Sequence, residues 1–115
     1  MKKITLTCAH AIVKYLIAQK ILIDGKKEPL FPGVFGIFGH GNVACLGQAL
    51  EENQNELPTY RGHHEQNMAL TGIGYARGKR RQQIFVATSS VGPGATNMVT
   101  AAAVAMSNRL PILFL

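Results

Sequence analysis

A chain of 115 residues, 47% of them hydrophobic, holds enough apolar mass for one small domain with a core, and is short for a complete α/β enzyme. With no run of about 18 apolar residues it has no membrane-spanning helix, and His10 and Lys14 interrupt the apolar stretch that a secretory signal would need. The net charge of +6 raises nucleic acid as a partner, but the densest basic cluster, Arg77-Gly78-Lys79-Arg80-Arg81, lacks interleaved aromatic residues and reads as a solvated turn.

In chain order, Ala9, Ile12, Val13, Leu16 and Ile17 follow the spacing of one helix face, with Thr7 as the N-cap. Residues 24–32, with Gly25, Pro29 and Pro32, read as a connecting loop. Residues 34–38 form a short apolar strand, Gly39-His40-Gly41 a turn, and Asn42 the cap of a helix running to Leu50. Thr59-Tyr60-Arg61 is a second strand, followed by a helix over 65–77 with Met68, Ala69, Ile73 and Ala76 on one face. Residues 83–88 are a third strand, closed by a Gly-Pro-Gly turn before a helix over 95–107, and 112–115 begin a fourth. The alanine-rich face of that last helix suits either the core or a subunit interface.

Strands alternating with helices predict right-handed crossovers and a parallel sheet with helices on both faces, a three-layer α/β fold. Residues 1–32 are then a leading helix and loop, and 33–115 the βαβ core. A terminal strand with nothing beyond to cover it leads us to expect a fragment of a longer domain.

Gly39-His40-Gly41-Asn42-Val43-Ala44 matches the G-x-G-x-x-G/A spacing after a strand and before a helix, as a dinucleotide-binding turn requires. The second strand ends at Arg61-Gly62-His63 rather than at an acidic residue, so NADP is the version of that reading that stands; a tight strand-to-helix turn is the alternative. His63, His64 and Glu65 are consecutive and cannot share a helix face, which argues against a metal site. Glu65 sits where a carboxylate complements the helix dipole, and also where ligands gather in α/β sheets. Cys8 and Cys45 have no zinc-type spacing and are expected to be buried free thiols in a reducing cytoplasm.

In order, Gly39-His40-Gly41, then His64-Glu65-Gln66 with the small-residue helix Met68 to Ala76, then Val91-Gly92-Pro93-Gly94-Ala95-Thr96-Asn97, resemble the pyrimidine-binding domain of thiamine-diphosphate-dependent enzymes. The resemblance covers about residues 33–115 and implies that Glu65 bonds the cofactor's N1′ nitrogen, promoting deprotonation of thiazolium C2. It implies that Gly92, Pro93, Gly94 and Asn97 form a turn at the cofactor and the partner subunit, and that His40, Gly41 and Asn42 lie near the substrate. Residues 37–43, Gly47-Gln48-Ala49-Leu50-Glu51 and the 24–32 insertion are most similar to the branch of C–C hydrolases that open a cyclic dione in inositol catabolism. Acetohydroxyacid synthases, close relatives, usually carry proline where this chain has His40. The family holds magnesium and the diphosphate in a separate domain, so the resemblance implies a homo-oligomeric cytoplasmic enzyme of which this chain alone is inactive.

Overall fold

The computed structural model describes residues 3–115. Helix α1 (Cys8–Ala18) begins as its sequence predicts: the Thr7 hydroxyl accepts from the His10 backbone N–H at 3.2 Å, satisfying one orphan donor of the first turn. The His10 ring bridges the Thr7 hydroxyl and the Glu52 carboxylate at 2.7 and 2.8 Å, tying α1 to the next helical segment.

Residues 24–32, expected as loop, are corrected to the second half of a hairpin. Strands β1 (Lys20–Ile23) and β2 (Lys26–Pro29) pair antiparallel, with Ile23 opposite Lys26. Asp24 and Gly25 both have positive φ, 50° and 78°, the backbone of a two-residue hairpin turn for which Asp-Gly is a strong signal. The hairpin is anchored by buried Gln83, which donates to the Pro29 carbonyl at 2.9 Å and accepts from the Tyr75 hydroxyl at 3.0 Å.

The central sheet has strand order β4-β3-β5-β6, all parallel: β3 (Val34–Gly36), β4 (Thr59–Arg61), β5 (Val86–Thr88) and β6 (Leu113–Phe114). The 34–38 and 83–88 runs are longer than the strands they form. Alternation sends Val34, Val86 and Leu113 to one face and Phe35, Ala87 and Phe114 to the other. The first face packs on α1 and on the segment α2 (His40–Asn42), a π-helical turn Val43–Gly47, and α3 (Gln48–Glu52). The second packs on α4 (Glu65–Gly78) and α6 (Val99–Asn108), where Ala101 and Ala105 are buried against the core. This is the expected three-layer arrangement with helices on both faces.

Three local expectations change. Gly39, not Asn42, is the N-cap after β3, and Asn42 lies inside the helical segment. The helix expected over 95–107 is two, α5 (Pro93–Asn97) and α6, joined at Met98. Cys8 and Cys45 are exposed rather than buried: Cys8 precedes the apolar stripe of α1, and the π turn carries Leu46 inward while leaving Val43, Ala44 and Cys45 outward.

The basic cluster is an exposed turn, as expected, and one of its residues serves the chain's own backbone. Arg81, at φ 65°, donates from Nε to the Arg109 carbonyl at 2.9 Å, closing the carboxyl end of α6, where carbonyls lack helical partners. Leu50, 1% exposed, sits at the centre of the first core; Leu50→Ala is expected to cost about 2–5 kcal/mol, read as a lower urea midpoint at unchanged slope.

Candidate active site

The chain leaves β3 toward β4 over one face of the sheet and leaves β5 toward β6 over the other, so a crevice opens at the carboxyl ends of the adjacent strands β3 and β5. Three turns meet at this end: Gly39–Asn42 after β3, Gly62–His64 after β4, and Ser89–Gly92 after β5.

Glu65 is the first residue of α4 and is half-buried. Its Oε2 accepts a hydrogen bond from Asn97 Nδ2 at 2.9 Å. That bond is the main reason its carboxyl titrates below the ordinary glutamate range; its own backbone N–H and the His64 ring act the same way, and partial desolvation opposes them. Glu65 is therefore ionised at neutral pH.

Asn97 reaches Glu65 because of the turn before it. Gly92 has φ 67° and ψ −119°, a conformation strained for any residue with a Cβ, and Pro93 follows in the first helical turn, where its missing N–H costs nothing. Gly94 is buried; a Cβ there would lie 3.0 Å from Glu65 Oε1 and would collide with Ser90 Oγ. The missing methyl lets the turn lie close to the carboxylate and to Ser90 with no side chain between.

The structure thus joins Glu65, Gly94 and Asn97 directly, with Gly92 and Pro93 shaping the turn. Asn42 belongs to the same end through Nδ2, which donates to the Ser89 carbonyl at 3.3 Å. His40 and Gly41 are exposed on the neighbouring turn and make no hydrogen bond to this group among the described residues. Within the G-x-G-x-x-A stretch, Gly39 is required by packing, since its Cβ would lie 2.8 Å from that of Ser90, whereas Gly41 faces open space. The sequence assigns Ser90 no role of its own, yet it touches both glycine turns; its position just past an apolar strand was the available signal. No group of three His, Cys, Asp or Glu side chains is placed to hold a metal ion among the described residues.

A depressed carboxylate pKa means that the Glu65–Asn97 contact contributes stability above the ordinary glutamate pKa and loses it as pH falls through the lower folded value. In a ¹³C NMR titration of the Glu65 carboxyl carbon, Asn97→Leu is expected to move the midpoint upward toward the ordinary range. An unmoved midpoint would show that the amide is not the cause.

A family profile described as "Thiamine pyrophosphate enzyme, N-terminal TPP binding domain" matches residues 7–115. The chain is 55% identical over 115 residues to the 3D-(3,5/4)-trihydroxycyclohexane-1,2-dione hydrolase of Geobacillus thermodenitrificans, and 50% identical over 115 residues to that of Clostridium tetani. It is 50% identical over 114 residues to the same-named protein of Listeria innocua. These matches cover 100%, 100% and 99% of this chain, and 18% of each relative's length. With the profile spanning nearly every described residue, the chain belongs to the thiamine pyrophosphate enzyme family, by its N-terminal cofactor-binding domain.

Proposed function

We propose that this chain is the pyrimidine-binding part of a cytoplasmic, homo-oligomeric hydrolase that uses thiamine diphosphate to open the ring of 3D-(3,5/4)-trihydroxycyclohexane-1,2-dione in inositol catabolism, with Glu65 as its catalytic carboxylate. The observation that carries this reading is a half-buried, ionised carboxylate with one oxygen tied to Asn97 and the other beside Gly94, where no side chain covers it. The names of the relatives support the substrate class.

The residues fit an aminopyrimidine. Glu65 Oε1 is free to share a proton with a ring nitrogen, and a carboxyl, unlike an amide, can both take that proton and give it back. Asn97 keeps the carboxylate from rotating away. Gly92 and Pro93 would set the turn that presents backbone to the ring, and Gly94 would keep a side chain from covering the carboxylate. His40, Gly41 and Asn42 form the adjoining substrate side, with Asn42 holding that turn against Ser89. Bound thiamine diphosphate supplies an acidic thiazolium C–H and an electron sink for cleavage. Hydrolysis between the two carbonyl carbons balances as one carboxylic acid and one aldehyde, the water giving OH to the first and H to the second.

Magnesium and the diphosphate belong, on this reading, to another domain. The strongly exposed Val91, Val99 and Met106, at 88%, 62% and 81%, provide apolar surface for the neighbouring protomer.

In the complete enzyme, Glu65→Gln is expected to lower dione turnover by roughly 10²–10⁴-fold, with pyruvate as the control substrate for carboligation; full turnover by this variant would sink the reading. Gly94→Ala is expected to weaken thiamine diphosphate binding with Glu65 still present, measured by cofactor titration. The 115-residue chain by itself is expected to show negligible binding of thiamine diphosphate with magnesium in a calorimeter.

A further inference from the structure

Several grooves of this chain run along β6, bordered by Leu113, Phe114 or Leu115. A cleft of about 390 Å³ stands apart at the opposite edge of the sheet, running along β4 from Thr59 to Arg61 and past the carboxyl end of β3. Its walls are Phe38 and Val43 from the end of β3 and the π turn, Glu51 and Gln54 from α3 and the turn after it, and Thr59 and Arg61 from β4.

The cleft is built rather than incidental. Gln54 is clamped to the backbone of Thr59 by two hydrogen bonds, donating to its carbonyl at 3.2 Å and accepting from its N–H at 3.1 Å. The Phe38 ring lies against Gly36, where a Cβ would approach Cζ to 2.8 Å, so glycine is what lets the aromatic wall form. Val43, 55% exposed, is carried outward by the π turn, a feature that recurs at functional sites.

Glu51 and Arg61 line this cleft with no salt bridge between them; the Glu52 carboxylate, next in the chain, is the one that bonds the His10 ring. A guanidinium only donates and a carboxylate only accepts. Facing one cleft, the two charges cancel: an anion meets the Glu51 charge, a cation meets that of Arg61, and neither is favoured. A neutral molecule carrying both hydroxyl donors and oxygen acceptors on an apolar ring satisfies both groups while its C–H face rests on Phe38 and Val43.

We propose that this cleft selects the hydroxylated part of a neutral cyclic polyhydroxy ketone, with Arg61 donating to, and Glu51 accepting from, its ring oxygens. The inference rests on the function proposed above and assigns substrate specificity to residues outside the Glu65 group. Arg61 also borders a second depression lined by Gly62, His63 and His64, the turn that leads into Glu65.

The test uses the complete enzyme with Arg61→Met and, separately, Glu51→Gln. Each is expected to raise KM for the trihydroxy dione by about tenfold or more, with kcat within about twofold and thiamine diphosphate affinity unchanged. myo-Inositol, a neutral cyclic polyol, is expected to inhibit the wild type competitively and to lose that inhibition in both variants. Unchanged KM in both variants, a joint fall of kcat and cofactor affinity, or competition by inorganic phosphate as strong as by myo-inositol would overturn the proposal. Absence of dione turnover in the wild type would instead overturn the proposed function. Calorimetry with myo-inositol then judges the cleft separately: binding lost in both variants supports it, and no binding to the wild type overturns it.

Discussion

The site depends on one contact made across the sheet. Glu65 follows β4 and Asn97 follows β5, strands that are not neighbours because β3 runs between them. Their meeting requires α4 to start close to the sheet end and α5 to fold back tightly after β5. Gly92 supplies the positive φ for that reversal, and Gly94 lets the short helix approach the carboxylate without a side chain in the way. The Asn97 amide then holds one carboxylate oxygen and stabilises its charge, so geometry and protonation state have a common cause.

The two cores serve this arrangement from opposite faces. One packs Val13, Leu16, Leu46, Leu50 and Leu57 against Val34 and Val86; the other packs Met68, Ile73, Met98 and Ala101 against Ala87. Met98 belongs to the second core and also marks the break between α5 and α6. The bend that aims Asn97 is thus anchored by burial, and hydrophobic packing fixes the direction of a polar group.

Charge in this chain is spent locally as much as on any ligand. Arg81 closes the end of α6, and His10 with Glu52 bridges α1 to α3. Glu51 and Arg61 are different, since both line a cleft without pairing to each other, and Gln54, fixed to the neighbouring strand, gives them a rigid surround.

Periodicity was enough for α1, for α4, and for the parallel order of strands and helices, because an apolar stripe or alternation states which side must leave water. The thiamine-diphosphate family was also legible, carried by the order of His64-Glu65-Gln66 and Gly92-Pro93-Gly94 with Asn97. The Asp24-Gly25 hairpin was readable in principle and was masked by the prolines around it. The π turn, the outward cysteines, the clamp of Gln54 on Thr59 and the role of Ser90 were not, since each is set by atoms distant in the chain. By itself the sequence determined which faces are buried and which residue types the chemistry has available. Only the tertiary structure decided that Glu65 meets Asn97 over Gly94, because that depends on where two crossovers end, and no local spacing encodes the distance between the ends of strands separated by a third.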